Sequence, residues 1–579
     1  MKTDYSKLGQ ESMERLRSTA AQAEAVQKRL LVDLMRRNRG TEYGRRYGFH
    51  TIWTPREFQG KVPISGYGDY EGYIREIMAG KKHVLSADPV VYFCASSGAT
   101  GKPKYLPLTQ ADLDLQYRYA YGTVFGCVRE YYRDLPVEKV FGKIFQIGEF
   151  AKSYTENGIM NGIRSSCLFQ WLDRDGQFDA SDYCVPKEVL FPETLEDLLY
   201  VKVRFALAQP DIRAIHGIFI NRVWGVLDYI RRKWLLLLED MERGTVHESI
   251  RLSSHWRRFL MERLPPDPGR AAQLRRSVGS DVGDGLVRKL WPKTRYCLAV
   301  GGKGFSCYMD KMREYAGDIP FHYSAYGASE GIFGVARKMD EPDAYVLFPE
   351  AGFFEFLPVT GHGKERGEPL FLWELEQGQR YELLFTNHSG LYRYQMKDVI
   401  QVVDWYEKAP VVRVCYRMDQ VVNVAGEETD PEQLQEAMDR FAAGTGTAMA
   451  GYCVQEVAGE TGPRYLFYVE PAGDGGQGAD SREELGAETI LDQCLCQVNH
   501  RYRQRRKMEE IHLPRVAYLQ QGCFRRYEEY LAARGIPRGQ SKRVCVLDTA
   551  DKKLFFASEQ AAGDFKRPYG VASTGNCKQ

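Results

Sequence analysis

The chain lacks the long apolar run that a membrane-spanning helix requires. Its most conspicuous apolar stretch, Trp234–Leu238, is far shorter than the roughly 20 residues that cross a bilayer. The N-terminal residues are charged and polar, without the hydrophobic segment of a secretory signal. We therefore expect a cytoplasmic protein that has no membrane partner.

An excess of charge of either sign is also missing. The 79 Lys and Arg residues nearly balance the 77 Asp and Glu residues, which leaves a net charge of +2. This balance gives no electrostatic basis for binding nucleic acid. Five cations do occur between Arg501 and Lys507, but such a run is typical of a solvated helix end. We expect no nucleic-acid partner.

Cysteine and histidine do not form metal-binding patterns. The 13 cysteines include no C-x-x-C pair, and the ten histidines include no H-E-x-x-H motif. An odd cysteine count without framework spacing predicts reduced thiols rather than disulfides. We expect no structural zinc site.

What the chain does have is a polar, flexible loop directly after a buried strand. Residues 90–95 are apolar, β-branched or aromatic, which is typical of a strand. Glycines let backbone N–H groups converge on an anion, and hydroxyls and lysines add donors for phosphate. The candidate groups are Ser96, Ser97, Gly98, Thr100, Gly101, Lys102 and Lys104. A phosphate-binding loop and a plain polar loop are both compatible with this composition.

This loop is not a Walker A motif. Ser96 stands where that pattern requires its first Gly, and Pro103 stands where it requires Ser or Thr. Residues 105–108 are predicted to be extended, with a helix beginning a few residues later near Thr109. Loop groups rather than a helix dipole would therefore hold a phosphate here.

The loop, together with two earlier motifs, resembles a known family. Residues 96–104 read Ser-Ser-Gly-Ala-Thr-Gly-Lys-Pro-Lys, residues 38–44 read Asn-Arg-Gly-Thr-Glu-Tyr-Gly, and residues 67–73 read Tyr-Gly-Asp-Tyr-Glu-Gly-Tyr. In combination they are similar to the GH3 acyl acid–amido synthetases, which are adenylate-forming enzymes, and we expect a bacterial-type member. The resemblance extends from about residue 30 to about residue 545.

The order of predicted strands and helices favours an α/β class. The resemblance implies a large N-terminal adenylate-forming domain of mixed sheets and helices with a smaller α+β C-terminal domain. We place these domains at 1–417 and 418–579, with a hinge near 418–426, and we expect a monomer. The pattern predicts single helices over 11–37, 219–242 and 483–508, a loop-rich stretch from 40 to 83, and a hairpin formed by 451–457 and 464–470.

Further site residues are implied by the resemblance. Adenine would bind along Tyr326, Gly327, Ala328 and Ser329 with the glycine loop at Gly302, Glu330 would hold Mg²⁺, and Asp398 and Arg417 would contact the nucleotide. Carboxylate oxygen suits Mg²⁺, and a carboxylate can accept hydrogen bonds from both ribose hydroxyls. A late lysine, Lys542, would reach the α-phosphate.

The sequence departs from the family pattern at three positions. Ala99 replaces the more frequent Thr or Ser of the phosphate loop, and Ser541 replaces an aromatic residue beside Lys542. Lys397 replaces a Gly immediately before Asp398, and Gly adopts a positive φ at lower cost than Lys.

The expected function is that of an ATP- and Mg²⁺-dependent ligase. A carboxylic acid would attack the α-phosphorus of ATP to give an acyl-adenylate and pyrophosphate. The amine of an amino acid would then take the acyl group and release AMP. Catalysis would depend on Glu330 and Lys542. Two alternatives remain open: an acyl-CoA ligase that shares the adenylation step, and a nucleotide-binding regulatory protein without turnover.

Overall fold

A computed structural model describes residues 3–97, 103–193, 198–279, 281–301, 306–359, 367–459, 462–472, 481–534 and 546–560. Within these ranges helices and strands alternate in groups along the chain. Among the described residues, no helix combines the length and the apolar character needed to cross a membrane.

The helices of the first 417 residues are α1 Tyr5–Ala21, α2 Ala23–Asn38, α3 Glu42–Arg46, α4 Pro55–Lys61, α5 Tyr67–Met78, α6 Gln110–Leu115, α7 Gly122–Tyr131, α8 Val137–Val140, α9 Arg164–Arg174, α10 Lys187–Leu190, α11 Leu199–Ala208, α12 Ile220–Arg232, α13 Trp234–Arg243, α14 Ser254–Arg263, α15 Pro268–Val278, α16 Leu286–Leu290 and α17 Ser306–Ala316. Those that follow are α18 Pro431–Thr445, α19 Ser481–Val498, α20 His500–Lys507, α21 Cys523–Ala533 and α22 Ala550–Ser558. A π-helical segment, Gln116–Tyr121, joins α6 to α7.

The strands are β1 Val90–Ser97, β2 Pro103–Thr109, β3 Lys143–Gln146, β4 Ser153–Tyr154, β5 Met160–Gly162, β6 Ile212–Phe219, β7 Tyr296–Val300, β8 Phe321–His322, β9 Ala325–Ala328, β10 Gly331–Ala336, β11 Tyr345–Leu347, β12 Phe353–Pro358, β13 Leu370–Phe371, β14 Arg380–Thr386, β15 Tyr394–Tyr406, β16 Ala409–Arg417, β17 Met449–Gly459, β18 Gly462–Pro471 and β19 Arg515–Tyr518. The predicted hairpin is confirmed, because β17 and β18 pair antiparallel.

These strands form sheets of different kinds. A parallel sheet has the order β3-β6-β7-β8, and a mixed sheet has the order β2-β1-β5-β4. An eight-stranded antiparallel sheet has the order β13-β12-β14-β15-β16-β11-β10-β9, and β17-β18-β19 form a small sheet near the C-terminus. The predicted α/β class, with mixed sheets and helices, is confirmed.

The eight-stranded sheet curls so that distant strands meet. Phe333 of β10 and Phe385 of β14 contact edge to face, with ring centroids 4.8 Å apart. Four pairing steps separate β14 from β10, which in a flat sheet would place them about 19 Å apart. Gly331 permits this approach, since a Cβ there would lie 2.7 Å from Cε1 of Phe385.

Three predicted long helices are each interrupted once. The helix expected over 11–37 breaks at Gln22, and that over 219–242 breaks at Lys233. The helix expected over 483–508 breaks at Asn499, whose side chain accepts from the backbone N–H groups of Arg501 and Tyr502 and so begins α20. The apolar spacing continues across such breaks, so periodicity alone does not reveal them.

The prediction that residues 40–83 are mainly loop is wrong, because α3, α4 and α5 lie there. Thr54 caps α4 by accepting from the N–H of Glu57, whose carboxylate accepts in return from the N–H of Thr54. Pro55 occupies the first helical position. Thr-Pro-Arg-Glu is therefore a capping-box signal that the sequence analysis missed.

The buried apolar residues form separate clusters along the chain. One cluster includes residues from Leu16 to Val412, and two smaller ones lie between Val422 and Phe556. The gap between the clusters, from Val412 to Val422, overlaps the first part of the predicted hinge near 418–426. Ion pairs cross it, since the guanidinium of Arg380 on β14 lies 3.0 Å from Glu432 and 3.6 Å from Asp430 at the start of α18.

A buried ion pair joins the N-terminal helices to the eight-stranded sheet. Arg393 donates to both carboxylate oxygens of Glu355, at 3.1 and 3.0 Å, and both residues are almost fully buried. The same guanidinium donates to the carbonyl oxygens of Gln59 and Val62 at 2.9 and 2.7 Å. Burial raises the pKa of Glu355, and the charge of Arg393 opposes that rise.

We predict that Arg393→Met lowers the free energy of unfolding by about 3–5 kcal/mol, because it leaves Glu355 buried without its counter-charge. Urea denaturation of the variant and the native protein measures this loss. The double variant Arg393→Met/Glu355→Leu should lose much less, since it removes both charges.

Arg36→Met is the matched control. Arg36 forms an exposed ion pair with Asp33 on α2, and such pairs contribute about 0.5 kcal/mol or less. Equal losses for Arg393→Met and Arg36→Met would contradict the structural role given to the buried pair.

Candidate nucleotide site

Three of the predicted nucleotide-binding residues meet at one carboxylate. The hydroxyl of Tyr326 donates to Oδ2 of Asp398 at 3.0 Å, and Nη1 of Arg417 lies 3.5 Å from Oδ1 of the same side chain. Asp398 and Arg417 are register partners on β15 and β16, whereas Tyr326 reaches them from β9 across the curled sheet. Both oxygens of Asp398 are therefore fixed in position from two sides.

Tyr326 is buried, and its ring packs against Phe333 with centroids 4.9 Å apart. Burial raises the pKa of Tyr326 well above its usual value, and the neighbouring charge of Asp398 raises it further. The phenol therefore stays protonated and remains a hydrogen-bond donor. In this arrangement it orients Asp398.

Glu330 belongs to the same cluster. It lies in the turn between β9 and β10, where its backbone carbonyl accepts from Nδ2 of Asn387 at 2.9 Å. Burial raises the pKa of Glu330, the charge of Asp398 adds to that rise, and Arg417 and a hydrogen bond from Tyr394 oppose it. The guanidinium of Arg417 thus pairs with Asp398 and lies close enough for its charge to act on Glu330.

The donor set fits a metal ion only if a ligand completes it. Among the described residues, no three or more His, Cys, Asp or Glu side chains come close enough to hold a metal ion. Mg²⁺ prefers six oxygen ligands and commonly takes several from phosphates and water. A Mg²⁺ ion beside Glu330 would therefore need its remaining ligands from bound phosphate and water.

The strands on either side of the first motif are antiparallel neighbours. β1 and β2 pair so that Ser97 lies opposite Pro103, and the expected extended segment 105–108 is part of β2. Lys104 places its Nζ 5.2 Å from the centroid of the Tyr67 ring. A strand and not a helix follows the loop, as predicted.

Several predicted residues lie outside what the structure describes. For Ser96 and Ser97 only the backbone is described. The residues outside the described ranges are Gly98, Thr100, Gly101, Lys102, Gly302 and Lys542. Their roles stay predictions.

The first two motifs lie close together. Burial raises the pKa of the Cys94 thiol, on the strand that leads into the loop, and the nearby side chain of Ser329, beside Glu330, opposes that rise. Gly327 and Ala328 lie on β9 between Tyr326 and Ser329, and Gly327 is exposed. The loop strand and the Tyr326–Glu330 segment are therefore neighbours.

Lys397 has the backbone conformation that its family glycine would favour. Its φ is +62°, in the left-handed region, which costs a non-glycine residue about 1–2 kcal/mol. The replacement of Gly by Lys therefore leaves Asp398 in place at an energetic cost. Its side chain is exposed.

Sequence reasoning missed Asn387 and Tyr394 as parts of the site. Tyr394 lies within the motif 391–398, so its position was a signal that was not used. Asn387 carried no such signal, because its role depends on the turn after β14, where its Oδ1 accepts from the backbone N–H groups of Ser389 and Leu391.

Comparison with known proteins identifies the family of the chain. The GH3 family N-terminal domain matches residues 12–321, the GH3 central domain matches 345–417, and the GH3 C-terminal domain matches 432–550.

Named relatives and solved structures agree with this match. An indole-3-acetic acid-amido synthetase from Oryza sativa is 27% identical over 90% of this chain and 87% of its own length. A jasmonoyl–L-amino acid synthetase from Nicotiana attenuata is 28% identical over 72% of this chain and 73% of its own.

An acyl acid amido synthetase, solved in complex with 2,4-DB, has the same fold with a TM-score of 0.80, 20% identity and coverage of 97% and 98% of the two chains. A 2-hydroxyisobutyryl-CoA ligase aligns with a TM-score of 0.51, at 12% identity and 94% and 93% coverage. The domain matches, which together span most of the sequence, show that the chain belongs to the GH3 family.

Proposed function

We propose that the protein is an ATP-dependent acyl acid–amido synthetase. It adenylates a carboxylic acid, releases pyrophosphate, and transfers the acyl group to the amine of an amino acid with release of AMP. The observation that carries this proposal is the cluster of Tyr326, Asp398, Arg417 and Glu330 in a chain of the GH3 family. Relatives named as amido synthetases for indole-3-acetic acid and jasmonate support the reaction class.

Within this proposal Asp398 accepts hydrogen bonds from the ribose hydroxyls of ATP. Its two oxygens are already oriented by Tyr326 and Arg417, so little reorganisation is needed when the nucleotide binds. The adenine side is formed by residues 326–329 together with Gly302. Glu330 would hold Mg²⁺, which offsets negative charge on the phosphates when bound.

The loop 96–104 contacts the phosphates, with backbone N–H groups, Thr100, Lys102 and Lys104 as donors. Lys542 neutralises charge at the α-phosphorus as pyrophosphate leaves. No covalent enzyme intermediate is required, because the adenylate itself activates the carboxyl carbon for attack by the amine.

The two half-reactions would take place in two different orientations of a mobile C-terminal domain, residues 418–579. Separate apolar clusters on the two sides of residue 417 support this division. We further propose that the enzyme is a cytoplasmic monomer that binds no nucleic acid and no membrane.

An acyl-CoA ligase is the second candidate, because a 2-hydroxyisobutyryl-CoA ligase shares the fold. The shared fold is compatible with adenylation by either kind of enzyme, whereas the family match favours an amine as the acceptor of the acyl group. Identifying this acceptor as an amine or as CoA therefore decides between the amido synthetase and the acyl-CoA ligase.

The proposal predicts AMP release that requires both an acid and an amino acid. The protein would be incubated with MgATP, a panel of aryl, indolyl and aliphatic acids, and pooled amino acids, with products identified by mass spectrometry. We expect a conjugate whose mass equals acid plus amino acid minus water. Pyrophosphate release that yields an acyl-CoA when CoA is added, but no conjugate with any amino acid, would contradict the assignment as an amide-forming enzyme.

Replacing Asp398 tests the nucleotide role. We predict that Asp398→Asn raises the KM for ATP about 10- to 100-fold, since hydrogen bonds to a charged group contribute about 1.5–3 kcal/mol. Tyr326→Phe should raise it less, because it removes only a group that orients Asp398. Pyrophosphate-release kinetics measure both effects.

The control for this substitution lies on the same strand. Asp404 on β15 pairs with Arg337 and is half exposed, so Asp404→Asn should leave the KM for ATP unchanged. An equal effect of Asp398→Asn and Asp404→Asn on the KM for ATP would contradict the assignment of Asp398 to the nucleotide-binding site.

The division into domains predicts a proteolytic signature. Arg380→Gln removes the ion pairs to Asp430 and Glu432, each of which contributes about 0.2–1 kcal/mol. We expect trypsin to cut after Arg417, at the start of the hinge, about two- to fivefold faster in this variant. Arg288→Gln, which breaks a pair with Asp318 away from the hinge, should not change the cutting rate. Equal rates for both variants would refute the proposed hinge.

A further inference from the structure

A buried guanidinium near the site has unused hydrogen-bonding groups. Arg164, the first residue of α9, is 8% exposed, and its Nε and Nη1 are closed to solvent and have no hydrogen-bond partner in the protein. Its Nη2 lies 3.8 Å from Oδ1 of Asp112, which is too long for a hydrogen bond. The guanidinium is thus charge-balanced by Asp112 without being satisfied as a donor.

Asp112 itself is held in place by other groups. Its Oδ2 accepts from the hydroxyl of Ser389, and Ser389 also accepts from the backbone N–H of Thr109 at 2.8 Å. The N–H of Ser389 donates to Asn387, the residue that bonds to the carbonyl of Glu330. Asp112 therefore belongs to a chain of hydrogen bonds that leads to the nucleotide cluster.

Leaving buried donors of a charged group unpaired is costly, and native proteins rarely do so without a functional reason. A structural arginine would be expected to satisfy its donors with backbone carbonyls, as the buried Arg393 does with Gln59 and Val62. Among the buried arginines that the structure describes, Arg393 has partners on all three nitrogens, Arg204 lacks one only at Nε, and Arg164 lacks them at both Nε and Nη1. Arg164 is therefore the one suited to a ligand.

Arg164 lies beside the strand that leads into the predicted phosphate loop. β5 pairs with β1 so that Gly162 faces Cys94, and Arg164 follows two residues later. Burial raises the pKa of Cys94 to about 12 and that of Cys167 to about 11, and the charge of Arg164 opposes both rises. Cys94 precedes Ser97 by three residues, a distance of about 10 Å along a strand.

The π-helical segment 116–121 also contacts Arg164. Gln116 donates through Nε2 to the backbone carbonyl of Arg164 at 3.2 Å and faces the thiol of Cys167, 3.2 Å from Oε1. π-helical turns inside α-helices occur frequently at functional sites. This is a second feature, independent of the guanidinium, that points to binding at this place.

We propose that Arg164 donates hydrogen bonds to an oxygen at the end of the acyl acid remote from its reacting carboxylate. The inference rests on the proposed function and names its substrate class. Because Asp112 already balances the charge, a neutral hydroxyl or carbonyl oxygen fits better than a second carboxylate. The preferred acids are then hydroxy- or oxo-substituted, and binding at Nε and Nη1, which are closed to solvent, requires the neighbouring side chains to move.

Selectivity follows from the same unsatisfied donors. A site built to hydrogen-bond a substrate oxygen discriminates strongly against an analogue that lacks it, because the buried donors stay unpaired. A hydrocarbon acid of equal length should therefore be the poorer substrate.

The test uses acids in matched pairs: phenylacetic with 4-hydroxyphenylacetic acid, and hexanoic and octanoic acid with their oxo derivatives at the penultimate carbon. Binding is read from the shift in Tm, and turnover from pyrophosphate release with MgATP. We expect the native protein to prefer the oxygen-bearing member of at least one pair by about 100-fold or more in kcat/KM. Arg164→Met should remove that preference while hydrocarbon acids are used at least as well.

Two further variants separate recognition from folding. Arg164→Met/Asp112→Asn keeps the charge balance and should also lose the preference. Arg174→Met alters an exposed arginine at the other end of α9 and should keep it.

Each outcome decides the proposal. A preference lost only in the Arg164 variants supports it. No preference in the native protein, or an equal loss for both members of a pair in Arg164→Met, overturns it. If no acid releases pyrophosphate, the proposed function fails, and the Tm shifts of the matched pairs still decide whether Arg164 recognises the oxygen.

Discussion

The curl of the eight-stranded antiparallel sheet is the constraint on which the site depends. Asp398 and Arg417 are adjacent by register alone, but Tyr326 and Glu330 come from the edge strand β9 and the turn after it, three pairing steps from β16. They reach Asp398 only because β9 and β10 fold back against β14. Phe385 packs into the space that Gly331 leaves open, so a contact between apolar residues sets the geometry of a polar cluster.

The curl also explains which parts were predictable from the sequence. Motif spacing located the loop strand, the segment 326–330 and Asp398, since each motif is local. It did not reveal that the hydroxyl of Tyr326 would orient Asp398, because that hydrogen bond joins strands 72 residues apart. Helix breaks such as that at Gln22 were not predicted for a related reason: the apolar stripe on the helix surface continues across them.

The buried arginines differ in how completely their hydrogen-bond donors are paired. Arg393 is fully paired and joins N-terminal backbone to the sheet, which gives it a structural role. Arg417 and Arg164 are each paired with an aspartate. Arg417 belongs to the nucleotide cluster, and Arg164 is connected to it through Asp112 and the hydrogen bonds of Ser389 and Asn387. Lys397, held at a positive φ immediately before Asp398, indicates that backbone strain is tolerated to keep this carboxylate in place.

The central claim is that an acyl-adenylate links the two half-reactions, and an oxygen-18 label tests it most directly. The carboxylic acid would carry ¹⁸O in both carboxyl oxygens, and AMP would be analysed by mass spectrometry after turnover with an amino acid. Attack of the carboxylate on the α-phosphorus, followed by aminolysis, leaves one ¹⁸O in AMP and one in the amide. AMP without label, or label found in inorganic phosphate beside ADP, would contradict the account.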